Sequence, residues 1–213
     1  MRRLIVVLTW TASATLASVP ASAAPVVAPV SGPMTQNGSN LTTAGTAATP
    51  WTLNETFTAL GVGILQFSDT DGQPLASLPG FVSGSWISKT VLNDTGTAWT
   101  SFELELREIL GTPSGEGDGL SFAQGAGLLF SSTVFPTFTR IDLARDYLNF
   151  TGGTVAPGAS VTFLFAVTDN SPQNPFYLVQ TPNKRDVAIP EPATLTLLGT
   201  GLIGLLPRRR RSS

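Results

Sequence analysis

Three glutamates set close together, Glu103, Glu105 and Glu108, are the first residues in this chain able to do chemistry. Acid–base hydrolysis of a glycosidic bond needs paired carboxylates about 5 to 10 Å apart. On an extended strand, residues two apart share a face at about 6.5–7 Å, so Glu103 and Glu105 meet that requirement. The same alternation has a blander account. Phe102, Leu104 and Leu106 form an apolar face, and Glu103, Glu105 and Arg107 a solvated one. The solvated face is the simpler reading, and no catalytic residue is assigned.

A second group is Asp69-Thr70-Asp71-Gly72, which opens like a calcium loop with oxygen ligands at alternate positions and a glycine to turn. The fifth and twelfth positions hold Gln73 and Gly80 where a full loop has acids, so an Asp-Gly turn is the better account. Asp69 and Asp71 remain calcium candidates that lack the rest of the loop. Glu116 and Asp118, in the glycine-rich stretch Gly111 to Gly119, are fainter still. Trp51, Trp86 and Trp99 offer flat faces on which a sugar ring can stack, although tryptophans in a β domain more often pack inside.

What is missing narrows the chemistry further. The chain has no histidine and no cysteine. That removes the commonest general base, the commonest transition-metal ligand, the thiolate nucleophile and any disulfide framework. No cofactor is expected, and the chain reads as a non-enzyme. Setting aside Arg2, Arg3 and Arg208 to Arg211 leaves six basic residues against fourteen acidic ones, a net charge of about −8. Such a surface keeps an exported domain soluble and argues against nucleic-acid binding.

The elements that must position these groups read as strands. Phe102 to Arg107 alternates strictly, and Val161, Phe163, Phe165 and Val167 alternate with Thr162, Leu164, Ala166 and Thr168. Further candidates are Trp51 to Leu60, Val62 to Ser68, Phe81 to Leu92, Leu128 to Val134 and Thr137 to Leu143. Asp71-Gly72, Asn93-Asp94-Thr95-Gly96, Gly152-Gly153 and Pro157-Gly158 punctuate them as turns. The pattern predicts an all-β chain, an antiparallel β-sandwich of Ig-like or jelly-roll-like type over residues 51–170. Residues 24–50, rich in Pro, Ala, Thr, Ser and Asn, read as a flexible lead-in in which Val26 to Val30 is a candidate edge strand. Residues 171–189, with Pro172, Pro175 and Pro182, read as a linker with a candidate last strand at 176–180.

The two ends carry addresses. Met1-Arg2-Arg3, an apolar stretch from Leu4 and small residues ending in Ala21-Ser22-Ala23 form a secretory signal peptide over residues 1–23. Cleavage is expected between Ala23 and Ala24, with export by the Sec machinery. At the other end come Pro190, Glu191 and Pro192, the apolar run Ala193 to Leu206, and the basic cluster Arg208, Arg209, Arg210 and Arg211. Fourteen residues rise only about 21 Å as a helix, against a hydrocarbon core of about 30 Å. The run is therefore a marginal span, with the arginines held cytoplasmic.

This tail, residues 190–211, resembles the C-terminal sorting domain of PEP-CTERM proteins. The resemblance implies recognition and cleavage by an exosortase in the inner membrane of a Gram-negative bacterium that makes exopolysaccharide. It covers about a tenth of the chain and concerns destination, not activity. Val91-Leu92-Asn93-Asp94-Thr95-Gly96 with Trp99 to Phe102, and Val155 to Val167, are similar to strands of PEP-CTERM ectodomains and carry a fold expectation only. Five of the eight asparagines (Asn37, Asn40, Asn54, Asn93 and Asn149) begin an Asn-x-Ser/Thr sequon, a pattern that serves glycosylation or, in threonine-rich β proteins, turns.

The functional expectation is an exported protein of the cell surface or exopolysaccharide matrix, structural or adhesive. The alternatives are a carbohydrate-binding module built on the tryptophans and a secreted hydrolase built on the glutamates.

Overall fold

The computed structural model describes residues 24–70, 84–115, 117–123, 130–170 and 175–184. Among these there are twelve strands and no helix. They are β1 (Val26–Ser31), β2 (Met34–Asn40), β3 (Trp51–Phe57), β4 (Gly63–Ser68), β5 (Gly84–Asn93) and β6 (Trp99–Arg107), then β7 (Leu120–Phe122), β8 (Ser131–Ser132), β9 (Thr137–Asp142), β10 (Asp146–Val155), β11 (Ser160–Asp169) and β12 (Phe176–Pro182). One sheet runs β1-β4-β12-β6-β10-β9, and the other β2-β3-β5-β11-β7 with β8 also on β11. The signal peptide and the sorting helix lie outside the described residues.

The sheets pack face to face because the strands are two-sided. Phe102, Leu104 and Leu106 of β6 point inward and are fully buried, as are Phe163 and Phe165 of β11. Across the gap Phe163 meets Phe102 at 4.8 Å and Phe150 at 4.9 Å between ring centroids. Phe57 of β3 meets both Trp99 and Phe102 edge-on at 5.9 Å. Edge-to-face and tilted pairs at such distances place ring edges against ring faces, which fixes the register of the two sheets.

Most strand pairs are antiparallel, but β3 and β5 run parallel, with Trp51 beside Ile87 and Phe57 beside Asn93. The chain reaches that arrangement because β4, between them in sequence, lies in the opposite sheet. A parallel pair needs such a crossover, and sequence alternation carries no sign of it.

Within the lead-in, the candidate edge strand Val26 to Val30 forms as β1, and a second strand follows it. Strand β1 lies at the edge of one sheet against β4, and β2 at the edge of the other against β3. Met34 to Asn40 escaped the sequence reading because an edge strand with both faces largely exposed has no apolar alternation to show. Its order comes from backbone pairing with β3, interrupted by a bulge between Gln36 and Gly38. The candidate last strand at 176–180 is β12, which lies between β4 and β6, inside its sheet.

Strand β10 is not among the strands that alternation predicts. Gly152-Gly153, read as a turn, is a bulge within it, where the register on β6 shifts between Thr151 and Val155. Gly152 takes a positive φ of 86°, and a Cβ on Gly153 would fall 2.1 Å from the Val134 carbonyl oxygen. Only glycine lets the backbone come this close.

Asn93 closes one end of the sandwich. Fully buried, it donates from Nδ2 to the carbonyls of Thr97 and Val155, both at 2.9 Å. Its Oδ1 accepts from the Thr95 amide at 3.1 Å and the Thr95 hydroxyl at 2.8 Å. The Asn-Asp-Thr-Gly motif is thus an Asx turn, finished by Gly96 at a φ of 72°.

Candidate functional site

The glutamates of β6 do not form a solvated face. Glu103 and Glu105 are each 2% exposed, although they lie on the side of the sheet away from the core. Cations from two other places, and one from β6 itself, cover them. Arg145, on the turn between β9 and β10, donates from Nη2 to Glu103 Oε1 at 2.7 Å and also contacts Glu105 Oε2. Lys184, just past β12, pairs with Glu103, and Arg107 Nε donates to Glu105 Oε1 at 2.8 Å. The Arg145 guanidinium also stacks 4.7 Å over the Tyr147 ring. Arg145 and Lys184 are too distant in sequence for strand alternation to reveal them. Carboxylates held this way are neither free bases nor a poised acid–nucleophile pair.

Burial pushes the Glu105 carboxyl up, but hydrogen bonds and charge from Arg145 and Arg107 outweigh it and hold the group below the usual carboxylate range. Burial likewise opposes the charge on Arg145, yet Glu105 and Glu103 raise its pKa above the ordinary arginine value. Below the ordinary glutamate value of about 4.3, the unfolded chain therefore binds more protons at Glu105 than the folded one. Stability from this contact is complete above that value and is lost as pH falls through the lower, folded one. The urea midpoint is expected to hold from pH 7 to about 5 and to drop below about 4, and Glu105→Gln should flatten that acid limb. An equally steep drop in the variant would count against this assignment.

The cluster stands where the chain leaves the domain. Asn183, at a φ of 52°, accepts at Oδ1 from the Thr100 amide at 2.7 Å and donates to the Ala98 carbonyl at 2.8 Å. Its own amide donates to the Ser101 carbonyl at 2.9 Å. With Lys184 on Glu103, the exit from β12 is pinned to β6 at two successive residues.

A second charged group sits inside the sandwich. Lys89 of β5 and Gln180 of β12 are wholly buried, and Glu55 of β3 is 1% exposed. Lys89 Nζ pairs with Glu55 Oε1, and Gln180 Nε2 donates to Glu55 Oε2 at 2.8 Å. The same Nε2 lies 3.4 Å from Met34 Sδ. Burial lowers the Lys89 pKa, against the pull of Glu55. No sequence motif marks these three residues. The usable signal is phase: Glu55 alternates with Trp51, Leu53 and Phe57, and Lys89 with Ile87 and Val91, so each stands on an apolar face.

The remaining candidates separate. Trp51, Trp86 and Trp99 are 4%, 6% and 0% exposed, so none presents a ring to a sugar. Trp99 packs on Phe57 and Phe102, Trp86 on Phe130 at 6.1 Å, and Trp51 borders an apolar pocket with Ile87, Val167 and Phe176. The stacking platform fails because each indole sits at an inward or covered position in its strand. Asp69 takes a φ of 56° in the turn after β4, and Asp71 lies outside the described residues, as does Glu116. Among the described residues no three acidic side chains gather so as to hold a metal ion. Two sequons serve turns: Thr95 and Thr42 each bond back to the Asn Oδ1 two residues earlier, in Asn93 and Asn40. Asn37, Asn40 and Asn54 are exposed on β2 and β3, while Asn93 and Asn149 are buried.

Neither a curated protein nor a solved structure matches the chain. Among the described residues no helix is long and apolar enough to cross a membrane. The Pro-Glu-Pro tripeptide, apolar run and arginine cluster lie outside them, six residues and more beyond the pinned exit at Lys184. Residues 188–211 match the family model described as the PEP-CTERM protein-sorting motif, so the all-β domain of this chain is followed by the signal that directs an exported protein to exosortase processing.

Proposed function

We propose that the protein is a structural or adhesive component of the cell surface or exopolysaccharide matrix, with no catalysis of its own. The sorting motif over residues 188–211 carries this reading. A non-catalytic role is supported by the lack of histidine and cysteine and by the capping of the two closest glutamates by arginine and lysine. The carbohydrate-binding alternative rested on tryptophans that are buried, and it is not carried forward. The route begins at the inner membrane, held there by the apolar run, and ends at the surface or in the matrix once the tail is removed.

The test is the intact mass of the protein from medium, cell-surface and membrane fractions. Surface material is expected to begin at Ala24 and to end near Pro190 to Ala193. Replacing Pro190, Glu191 and Pro192 together by alanine should leave the arginines attached and the protein in membranes. Native protein that keeps Arg208 to Arg211 and never leaves the membrane would overturn the matrix role, as would unchanged biofilm cohesion after deletion of the gene.

A further inference from the structure

The buried Lys89, Glu55 and Gln180 join the two sheets through a single carboxylate. Lys89 and Glu55 belong to neighbouring strands of one sheet, and Gln180 to a central strand of the other. One oxygen of Glu55 holds the lysine nitrogen, and the other accepts from the Gln180 amide nitrogen at 2.8 Å. Gln180 Oε1 is buried and makes no hydrogen bond. An orphaned amide oxygen inside a core is an uncompensated cost that calls for an explanation. The walls are dry: Leu53 stands beside Lys89, Val91 beside Glu55, and Leu104 beside Gln180 in the strand registers.

We propose that this triad is a cross-linking site, in which Lys89 and Gln180 become joined by an isopeptide bond with Glu55 as the proton carrier. A lysine amine is a nucleophile once it is neutral, and burial in an apolar pocket favours that form. Here burial acts in that direction on Lys89. Glu55, touching both reacting groups, takes a proton from the ammonium. The freed lone pair of Nζ attacks Cδ of Gln180, the Nζ–Cδ bond forms, and the Cδ–Nε2 bond breaks. Nζ keeps one hydrogen, and the two protons it loses pass through Glu55 to Nε2, which departs as ammonium. No oxidant or co-reactant enters. Glu55 stays hydrogen-bonded to Nε2 at 2.8 Å and so hands the protons to the leaving nitrogen.

The bond would tie β5 to β12, the last of the described strands before the sorting motif. Tension arriving from the C-terminal side enters the domain at β12, and the tie passes it to the opposite sheet. The chain has no cysteine with which to make a disulfide staple. The inference stands on the triad alone and is independent of where the protein resides.

High-resolution mass spectrometry of the purified, folded native protein decides it. The expected mass is about 17 Da below that of the uncross-linked chain, one ammonia lost, and proteolysis should release a branched peptide joining Lys89 to Gln180. Glu55→Gln should restore the full mass. Should that variant not fold, the native protein still decides. A native mass equal to that of the uncross-linked chain overturns the proposal. So does a branched peptide joining Lys89 to Glu55 with loss of one water. A loss of one ammonia mapped to a succinimide at Asn37-Gly38 overturns it as well.

Discussion

Replacing Lys89 by methionine is expected to cost the folded domain about 3–5 kcal/mol. The side chain is wholly buried and faces Glu55, which is 1% exposed. Whether Nζ is held by charge or by an amide bond to Gln180, the substitution strips Glu55 of its main partner. A carboxylate then remains in the core with only the Gln180 amide to satisfy it. Desolvation costs several kcal/mol per ion, so the uncompensated charge dominates over the small loss of packing volume. Domains of this size unfold at about 5–15 kcal/mol, so the loss is a large share of the total. Adding Glu55→Leu to Lys89→Met should recover the part of the loss that comes from the stranded charge, because that charge leaves too. Urea unfolding checks both. A single variant within about 1 kcal/mol of the native protein would show that the pair is not a buried ionic contact.

Phe163→Ala is expected to cost a similar amount, about 3–5 kcal/mol, for a different reason. Phe163 sits at the centre of the gap between the sheets, in ring contact with Phe102, Phe150 and Phe135. Three rings from three segments lose one neighbour at once, and backbones tied into two sheets cannot close over the void. The cost is the lost transfer of the ring from water plus the cavity left behind. Phe138 is the control. It touches Phe130 and Phe150 but is 37% exposed, so Phe138→Ala should cost well under half as much. Urea midpoints should shift with unchanged slopes, since the surface exposed on unfolding is nearly constant. Equal losses at Phe163 and Phe138 would mean that the inter-sheet layer is not the centre of stability.

The two charged groups show why sites were harder to read than strands. Alternation placed Glu103 and Glu105 on the face opposite Phe102, Leu104 and Leu106, and the structure keeps that phase. It could not say that Arg145 and Lys184 arrive from 40 and 81 residues away to cover them. A polar face counts as solvated only until another segment lies across it. Glu55 and Lys89 failed in the opposite sense. Their phase was internal from the start, but a pattern rule treats a lone charge on an apolar face as noise, because burying one unpaired is prohibitive. Only pairing makes it tolerable, and pairing is a tertiary fact.

By itself the sequence determined the export and sorting address, since tripeptide, apolar run and arginine cluster are read as linear chain. It also determined the class of fold, because a two-residue period in Phe102 to Arg107 and Val161 to Thr168 suits only strands with one buried face. Tertiary structure decided what no local period encodes. It recruited Met34 to Asn40 as an edge strand through backbone pairing, made Gly152-Gly153 a bulge, set β3 parallel to β5 and drew β12 into the sheet. It also brought Glu55, Lys89 and Gln180 together from distant parts of the chain. Such contacts depend on backbone hydrogen bonds and on meetings between remote segments, and these carry no signature in the order of neighbouring side chains.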